Sequence, residues 1–190
     1  MSRRSYEHVP PHIPRKIFIP VVLLLVLAVP ALAMARSGTS SRAELHELNG
    51  SGARGTARVT QQGISLTVRI QATGLEPNLV HLRHIHGGST AVAGNSPVEV
   101  SKCPTPPADI DNDGVISVVE GVPDYGAVIL NLGNFMTTTG SIDDTKTFTL
   151  ASNSPVPPLD RRAIVLHGMF VGNTYDASVP IVCGQLHAQP

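Results

Sequence analysis

Within the run His81-Leu82-Arg83-His84-Ile85-His86, two histidines stand one residue apart. Side chains alternate faces along a β-strand, so His84 and His86 project together from one side. Two imidazoles held side by side on a rigid strand present the nitrogen donors that transition metals take. His167, closing the run Arg162-Ala163-Ile164-Val165-Leu166-His167, is a third imidazole able to complete such a set. The residues alone leave a second reading open, in which these histidines are simply hydrogen-bonded within the fold. His8, His12, His46 and His187 show no such grouping, although His187 stands four residues from Cys183 and could lie near it.

A set of harder donors follows. Asp109-Ile110-Asp111-Asn112-Asp113-Gly114-Val115-Ile116-Ser117-Val118-Val119-Glu120 fits the twelve-residue calcium loop of EF-hand type at every position. Asp109, Asp111 and Asp113 supply carboxylate oxygens, and Val115 offers its backbone carbonyl. Ser117 ligates directly or through water, and Glu120 closes the ring with two oxygens. Gly114 allows the sharp turn, and Ile116 is the apolar anchor. Oxygen ligands in a flexible ring suit Ca²⁺, while the competing reading is a solvated acidic turn. Pro104, Pro106 and Pro107 leave little room for an entering helix. The pattern therefore predicts a lone structural calcium loop set into another fold, not a paired calcium sensor.

The elements that must position these donors read as strands. Ile64-Ser65-Leu66-Thr67-Val68-Arg69-Ile70 alternates apolar and polar, the mark of a strand with one face on a core. Gln61-Gln62-Gly63 before it reads as a turn, with Ala57 to Thr60 as the incoming strand. Further strands are expected at Ala43 to Leu48, Ala127 to Leu132, Thr145 to Leu150, Arg162 to His167 and Val179 to Cys183. No stretch after residue 35 shows helical periodicity over 11 or more residues. With 16 prolines and 17 glycines in the chain, the expectation is an all-β, antiparallel sandwich or barrel.

The N-terminus has the form of an export signal. Arg3, Arg4, Arg15 and Lys16 precede an apolar run from Ile17 to Met34, and Ala31-Leu32-Ala33 and Ala33-Met34-Ala35 are small-x-small cleavage sites. Residues 1–35 are read as a signal peptide, 36–42 as a short linker and 43–190 as one domain. The alternative is an uncleaved anchor, the one route by which this chain would meet a membrane. Residues 36–190 carry 10 Lys+Arg against 13 Asp+Glu, a net charge of −3, with no basic patch, which argues against a nucleic-acid partner. Cys103 and Cys183 both lie in the exported part, where an oxidising compartment most simply joins them in a disulfide. Such a bond would contribute roughly 4 kcal/mol by restricting the unfolded chain. Two buried free thiols are the other possibility.

Taken together, these segments resemble the copper/zinc superoxide dismutase family over most of residues 43–187. His81-x-x-His84-x-His86 has the family's spacing of a structural histidine followed by two copper ligands. Gly74-Leu75-Glu76-Pro77 is similar to the family's turn into that strand, and Ile142-Asp143-Asp144-Thr145 with Leu150 to an acidic-turn strand. Arg162 to His167 resembles the strand whose histidine is the last copper ligand, and Cys183-Gly184 the C-terminal pair whose cysteine bonds to the long loop, here Cys103. The resemblance implies a Greek-key β-barrel with a long loop, copper on His84, His86 and His167, His81 in a structural role, and superoxide as substrate. His84-Ile85-His86-Gly87-Gly88 also resembles the His-Ile-His-Gly motif of CHRD domains, which implies a non-catalytic structural or interaction module instead. A non-catalytic copper-binding protein on the same fold is a further alternative.

Departures from the family pattern sharpen these expectations. No histidine occurs between Cys103 and Arg161, where the family's zinc loop has three, and Asn131-Leu132-Gly133-Asn134 puts Asn131 where the family has a zinc-binding aspartate. Zinc is therefore not expected, and calcium ordering would replace zinc ordering. Pro180 occupies the position of the family's substrate-guiding arginine, leaving Arg83 or Arg161 as candidate substitutes. Met169 is a soft donor near His167, but a buried packing role accounts for it better. Oligomeric state is not legible in these residues.

Overall fold

The alternation of apolar and polar residues in β1 (Thr39–Glu47), β2 (Arg54–Gln62) and β3 (Ser65–Thr73) drives these strands into one antiparallel meander. Ala43, Leu45, Ala57, Val59, Leu66, Val68 and Ile70 face the core, and the residues between them face solvent. The computed structural model describes residues 38–88 and 100–190. The expected signal peptide lies outside the described residues. The remaining elements are β4 (Val80–Gly87), α1 (Val118–Tyr125), β5 (Ala127–Asn131), β6 (Phe135–Met136), β7 (Ser141–Thr149), β8 (Ala163–Val171), β9 (Thr174–Gln185) and β10 (His187–Ala188).

Every strand pairing is antiparallel, in the order β5-β4-β8-β9-β1-β2-β3-β7, with β6 on β4 and β10 on β1. One layer holds β7, β3, β2 and β1, and the other holds β9, β8, β4 and β5. β1 joins them, pairing with β2 over Thr39 to Leu45 and with β9 at His46 and Glu47. The chain passes between layers from β3 to β4 and again from β7 to β8, a Greek-key arrangement. The all-β expectation thus holds, with one short helix among the described residues.

Burying one face of each layer accounts for the main core, where Ile85, Ile164, Leu166, Ile181 and Leu132 oppose the apolar residues of the first layer. Like β9 over Val179 to Gly184, β8 is buried on both faces, over its first six residues. Its second face carries Ala163, Val165 and His167, covered by a smaller cluster of Leu48, Tyr125 and Cys183. That cover shields the outer face of β4, β8 and β9.

Several local expectations change. β1 begins at Thr39, inside the stretch read as a linker, because Ser41 is buried and pairs with Val59 on one side and Ala188 on the other. The turn between β2 and β3 falls on Gly63-Ile64 rather than on Gln61 to Gly63, leaving Ile64 exposed. β7 runs from Ser141 to Thr149 and so takes in the acidic pair Asp143-Asp144. No helix among the described residues is long and apolar enough to cross a membrane.

Candidate metal centre

The register of β4 against β8 decides the geometry. Leu82 pairs with His167, His84 with Val165 and His86 with Ala163, so all three histidines share the outer face. The small cross-strand neighbours Val165 and Ala163 leave room beside the rings of His84 and His86. Each histidine offers a nitrogen within 4.8 Å of the others, and the His84–His167 and His86–His167 ring centroids are 5.0 and 5.8 Å apart. Ligands of a single metal at bonds of about 2 Å have nitrogens roughly 3–4 Å apart, so modest rotamer adjustment suffices.

Backbone carbonyls select which nitrogens stay free. His86 Nδ1 lies 3.0 Å from Gly126 O, and His167 Nδ1 lies 2.7 Å from Ser178 O. Each carbonyl accepts an N–H from its ring, which leaves the Nε2 lone pair of both rings available. His84 Nδ1 is 3.3 Å from His167 Nε2. His86 is 1% exposed, and its Nε2 is buried without any hydrogen-bond partner. An orphaned buried nitrogen is costly unless something binds it. Desolvation holds all three imidazoles below their ordinary pKa, His86 at about 4 and His167 at about 3, with neighbouring rings adding to the effect at His86 and His167. Neutral rings are the metal-binding form.

His81 acts one layer deeper. Its ring nitrogens lie 2.9 Å from His167 O and 3.0 Å from Glu76 O, tying the turn before β4 to β8. Gly168 permits this approach. It adopts φ +113°, and a Cβ there would meet Tyr175 Oη and His81 Nδ1.

The acidic loop lies between a single 3-10 turn at Pro106–Ala108 and α1. An entering α-helix is absent, as the prolines foretold, but the leaving helix forms. Ser117 is its N-cap, and Glu120 Oε2 accepts the Ser117 N–H at 2.8 Å in a capping box. Glu120 Oε1 accepts the Ile110 N–H at 2.9 Å, so one carboxylate spans both ends of the loop. Carboxylate oxygens of Asp109, Asp111 and Glu120 lie within 4.8 Å of one another. Asp113 instead accepts the Val115 N–H at 2.8 Å, and the Ser117 hydroxyl is engaged in the cap. A backbone hydrogen bond from Asp113 favours the Asp111 carboxylate. Burial and the charges of Asp113, Glu120 and Asp109 outweigh it and raise the Asp111 pKa. Backbone and hydroxyl hydrogen bonds from Ser117 hold Glu120 down at about 2.

Cys103 and Cys183 form a disulfide, which indicates a non-reducing environment. His46, not His187, pairs with Cys183; His187 lies on β10 opposite Arg42. Arg83 does not reach the histidine face. It sits on the opposite face of β4, 2% exposed, with Nη2 donating to Asp144 Oδ2 at 2.6 Å, Nε to Gly133 O, and its guanidinium over Phe135. Arg161 is exposed on a 3-10 turn at Leu159–Arg161. Asn131 Oδ1 accepts the Gly133 N–H at 2.7 Å, and Met169 packs against the core.

Four contributors were not singled out from the sequence: Tyr125, Gly126, Ser178 and Asn49. Asp176 Oδ1 accepts both the N–H and the hydroxyl of Ser178, turning Ser178 O toward His167. The Asp-x-Ser spacing was a usable turn signal, whereas a bare carbonyl such as that of Gly126 leaves none. Asn49 accepts the Ile116 N–H and donates to Ile116 O, so one side-chain amide holds the apolar anchor of the loop.

No family model matches the chain, and no curated protein matches it. Among solved structures, the chain is similar to a point mutant of a superoxide-dismutase-like (SOD-like) protein from Bacillus subtilis. The identity is 16% and the TM-score 0.41, over 77% of this chain and 97% of that one.

Proposed function

We propose that the protein is an exported, SOD-like copper protein that binds one copper ion through His84, His86 and His167 and dismutates superoxide without zinc. The observation that carries this reading is the buried, unpartnered Nε2 of His86 beside two other neutral imidazoles. Three imidazoles suit copper, the divalent first-row metal that such sites hold most tightly. When bound, copper supplies one-electron exchange between Cu(II) and Cu(I), by which one superoxide becomes oxygen and another, with two protons, becomes hydrogen peroxide.

The chain's own residues prepare the centre. Gly126 O and Ser178 O fix the tautomers of His86 and His167, and desolvation keeps the rings neutral well below neutral pH. His84 is half-buried while its two partners are buried, so a small anion has its approach on the His84 side. No guanidinium steers it from position 180 or from beside His84, because Pro180 on β9 faces His167 on β8 and Arg83 is held by Asp144. Superoxide dismutation should therefore depend only weakly on ionic strength. The loop 109–120 is read as binding one structural Ca²⁺ through Asp109, Asp111, Asp113, Val115 O, Ser117 and Glu120.

The non-catalytic, CHRD-like reading needs neither His167 nor the disulfide, and the position of His167 beside the pair favours copper over it. Copper titration with electron paramagnetic resonance, followed by a dismutation assay, tests the proposal. One copper with nitrogen hyperfine coupling, and activity above free copper that disappears in His84→Ala/His167→Ala, is the expected result. A folded protein that takes up no copper would overturn it and leave the module reading. Tight copper without activity would confine the protein to copper binding.

A further inference from the structure

Helix α1 belongs to both candidate centres. Its first turn contains Glu120, the closing residue of the acidic loop, and its last residue, Tyr125, is in contact with the copper-ligand candidate His86. Tyr125 is wholly buried, and its ring meets the His86 ring edge-on at 4.5 Å between centroids. The ring folds back over Gly121, where any Cβ would collide with it, and its hydroxyl donates to Val118 O at 3.1 Å. Gly126, the next residue, supplies the carbonyl that fixes His86 Nδ1. Eight helical residues span only about 12 Å and move as one piece, so the orientation of Glu120 is passed on to Tyr125 and Gly126.

A second tie runs to His167. Asn49 Nδ2 donates to Ile116 O at 3.0 Å and to Pro180 O at 2.9 Å, and Pro180 is the cross-strand partner of His167. The loop is thus anchored to the backbone beside two of the three histidines. Carboxylates of like charge converge in the loop, and relief of that repulsion by a cation would narrow the positions open to α1.

We infer that calcium in the loop 109–120 and copper at the histidines bind cooperatively, with Tyr125 as the positioning residue that carries the coupling to His86. This rests on the copper and calcium readings above. It gives the calcium loop a role beyond local order, as a condition on the copper centre. Calcium outside the cell would assemble the centre after export.

The full-length protein is titrated with Cu(II) against a competing chelator, with and without Ca²⁺, and with Ca²⁺ in the presence and absence of copper. Nitrogen hyperfine coupling reports whether copper sits on the histidines. Calcium should tighten copper about tenfold, and linkage requires copper to tighten calcium by the same factor. Tyr125→Ala should reduce that factor to near one while both metals still bind, and Tyr125→Phe, which keeps the ring, should retain it. Affinities independent of each other in the unmutated protein overturn the coupling and leave both metal readings standing. Failure of either metal to bind at all overturns the reading on which the inference rests. The reciprocity measurement needs no variant, so misfolding of Tyr125→Ala does not protect the idea.

Discussion

Lowering the pH from 6.5 to 4.5 should destabilise the metal-free protein, and the histidine centre should account for most of the loss. Burial depresses the pKa of His86 from 6.5 to about 4 and that of His167 to about 3. An unfolded chain takes up protons at these residues near pH 6.5, whereas the folded chain resists until pH 4 or below. The unfolded state therefore binds more protons throughout this window, and stability falls as pH falls. Each pKa unit corresponds to about 1.4 kcal/mol, so between pH 6.5 and 4.5 His86 and His167 each account for about 2 kcal/mol. A domain of this size has only about 5–15 kcal/mol in total. Between pH 6 and 5 the slope should be about 2–3 kcal/mol per pH unit. Denatured-state titration of the depressed carboxyls Glu120, Asp143 and Asp176 acts lower, below about pH 4.5. Urea unfolding of the metal-free protein at half-unit pH steps measures the slope, with His86→Gln/His167→Gln as the comparison. Equal slopes in the two proteins would refute the argument, because the burial of these rings would then have no energetic consequence. Copper should raise stability and carry the slope to lower pH for as long as it stays bound, since it holds the folded rings unprotonated while the unfolded chain still takes up protons.

Three further outcomes follow from the packing. Replacing Cys103 and Cys183 by serine should cost about 4 kcal/mol in urea unfolding, since the bond closes a loop with a sequence separation of 80. Gly168→Ala should weaken copper binding about tenfold or more by calorimetry, because a Cβ there meets Tyr175 Oη and His81 Nδ1 directly behind His167; unchanged affinity would remove His81 from the account. Asp144→Ala should destabilise by about 2 kcal/mol by leaving the buried Arg83 charge without its carboxylate, discounted for the partial exposure of Asp144, while leaving the copper spectrum unaltered.

Much of this molecule is written locally. Alternation in Leu66-Thr67-Val68-Arg69-Ile70 determines both a strand and its buried face, because side-chain period and pleat coincide. His84 and His86 share a face for the same reason, and the twelve-residue acidic pattern needs no distant residue to be recognised. Strand ends were less legible. Ile64 looks like a core residue by alternation, yet it turns outward because the hairpin closes on Gly63-Ile64. The short strands β6 and β10 carry too few residues for periodicity to register.

What only the tertiary structure decided is pairing across long separations. His167 belongs with His84 because β8 lies against β4 in one register, and a shift of one residue would have sent it into the opposite face. The same register excludes Arg83, whose type and position in sequence made it a candidate guide until its burial against Asp144 removed it. Gly126 O and Ser178 O leave no trace in residue type, since every residue has a carbonyl and only folding directs one at a ring nitrogen. Side-chain chemistry and local period are properties of the sequence itself. Proximity is a property of the packed chain, because burial of the two faces of β8 selects among many locally equivalent arrangements.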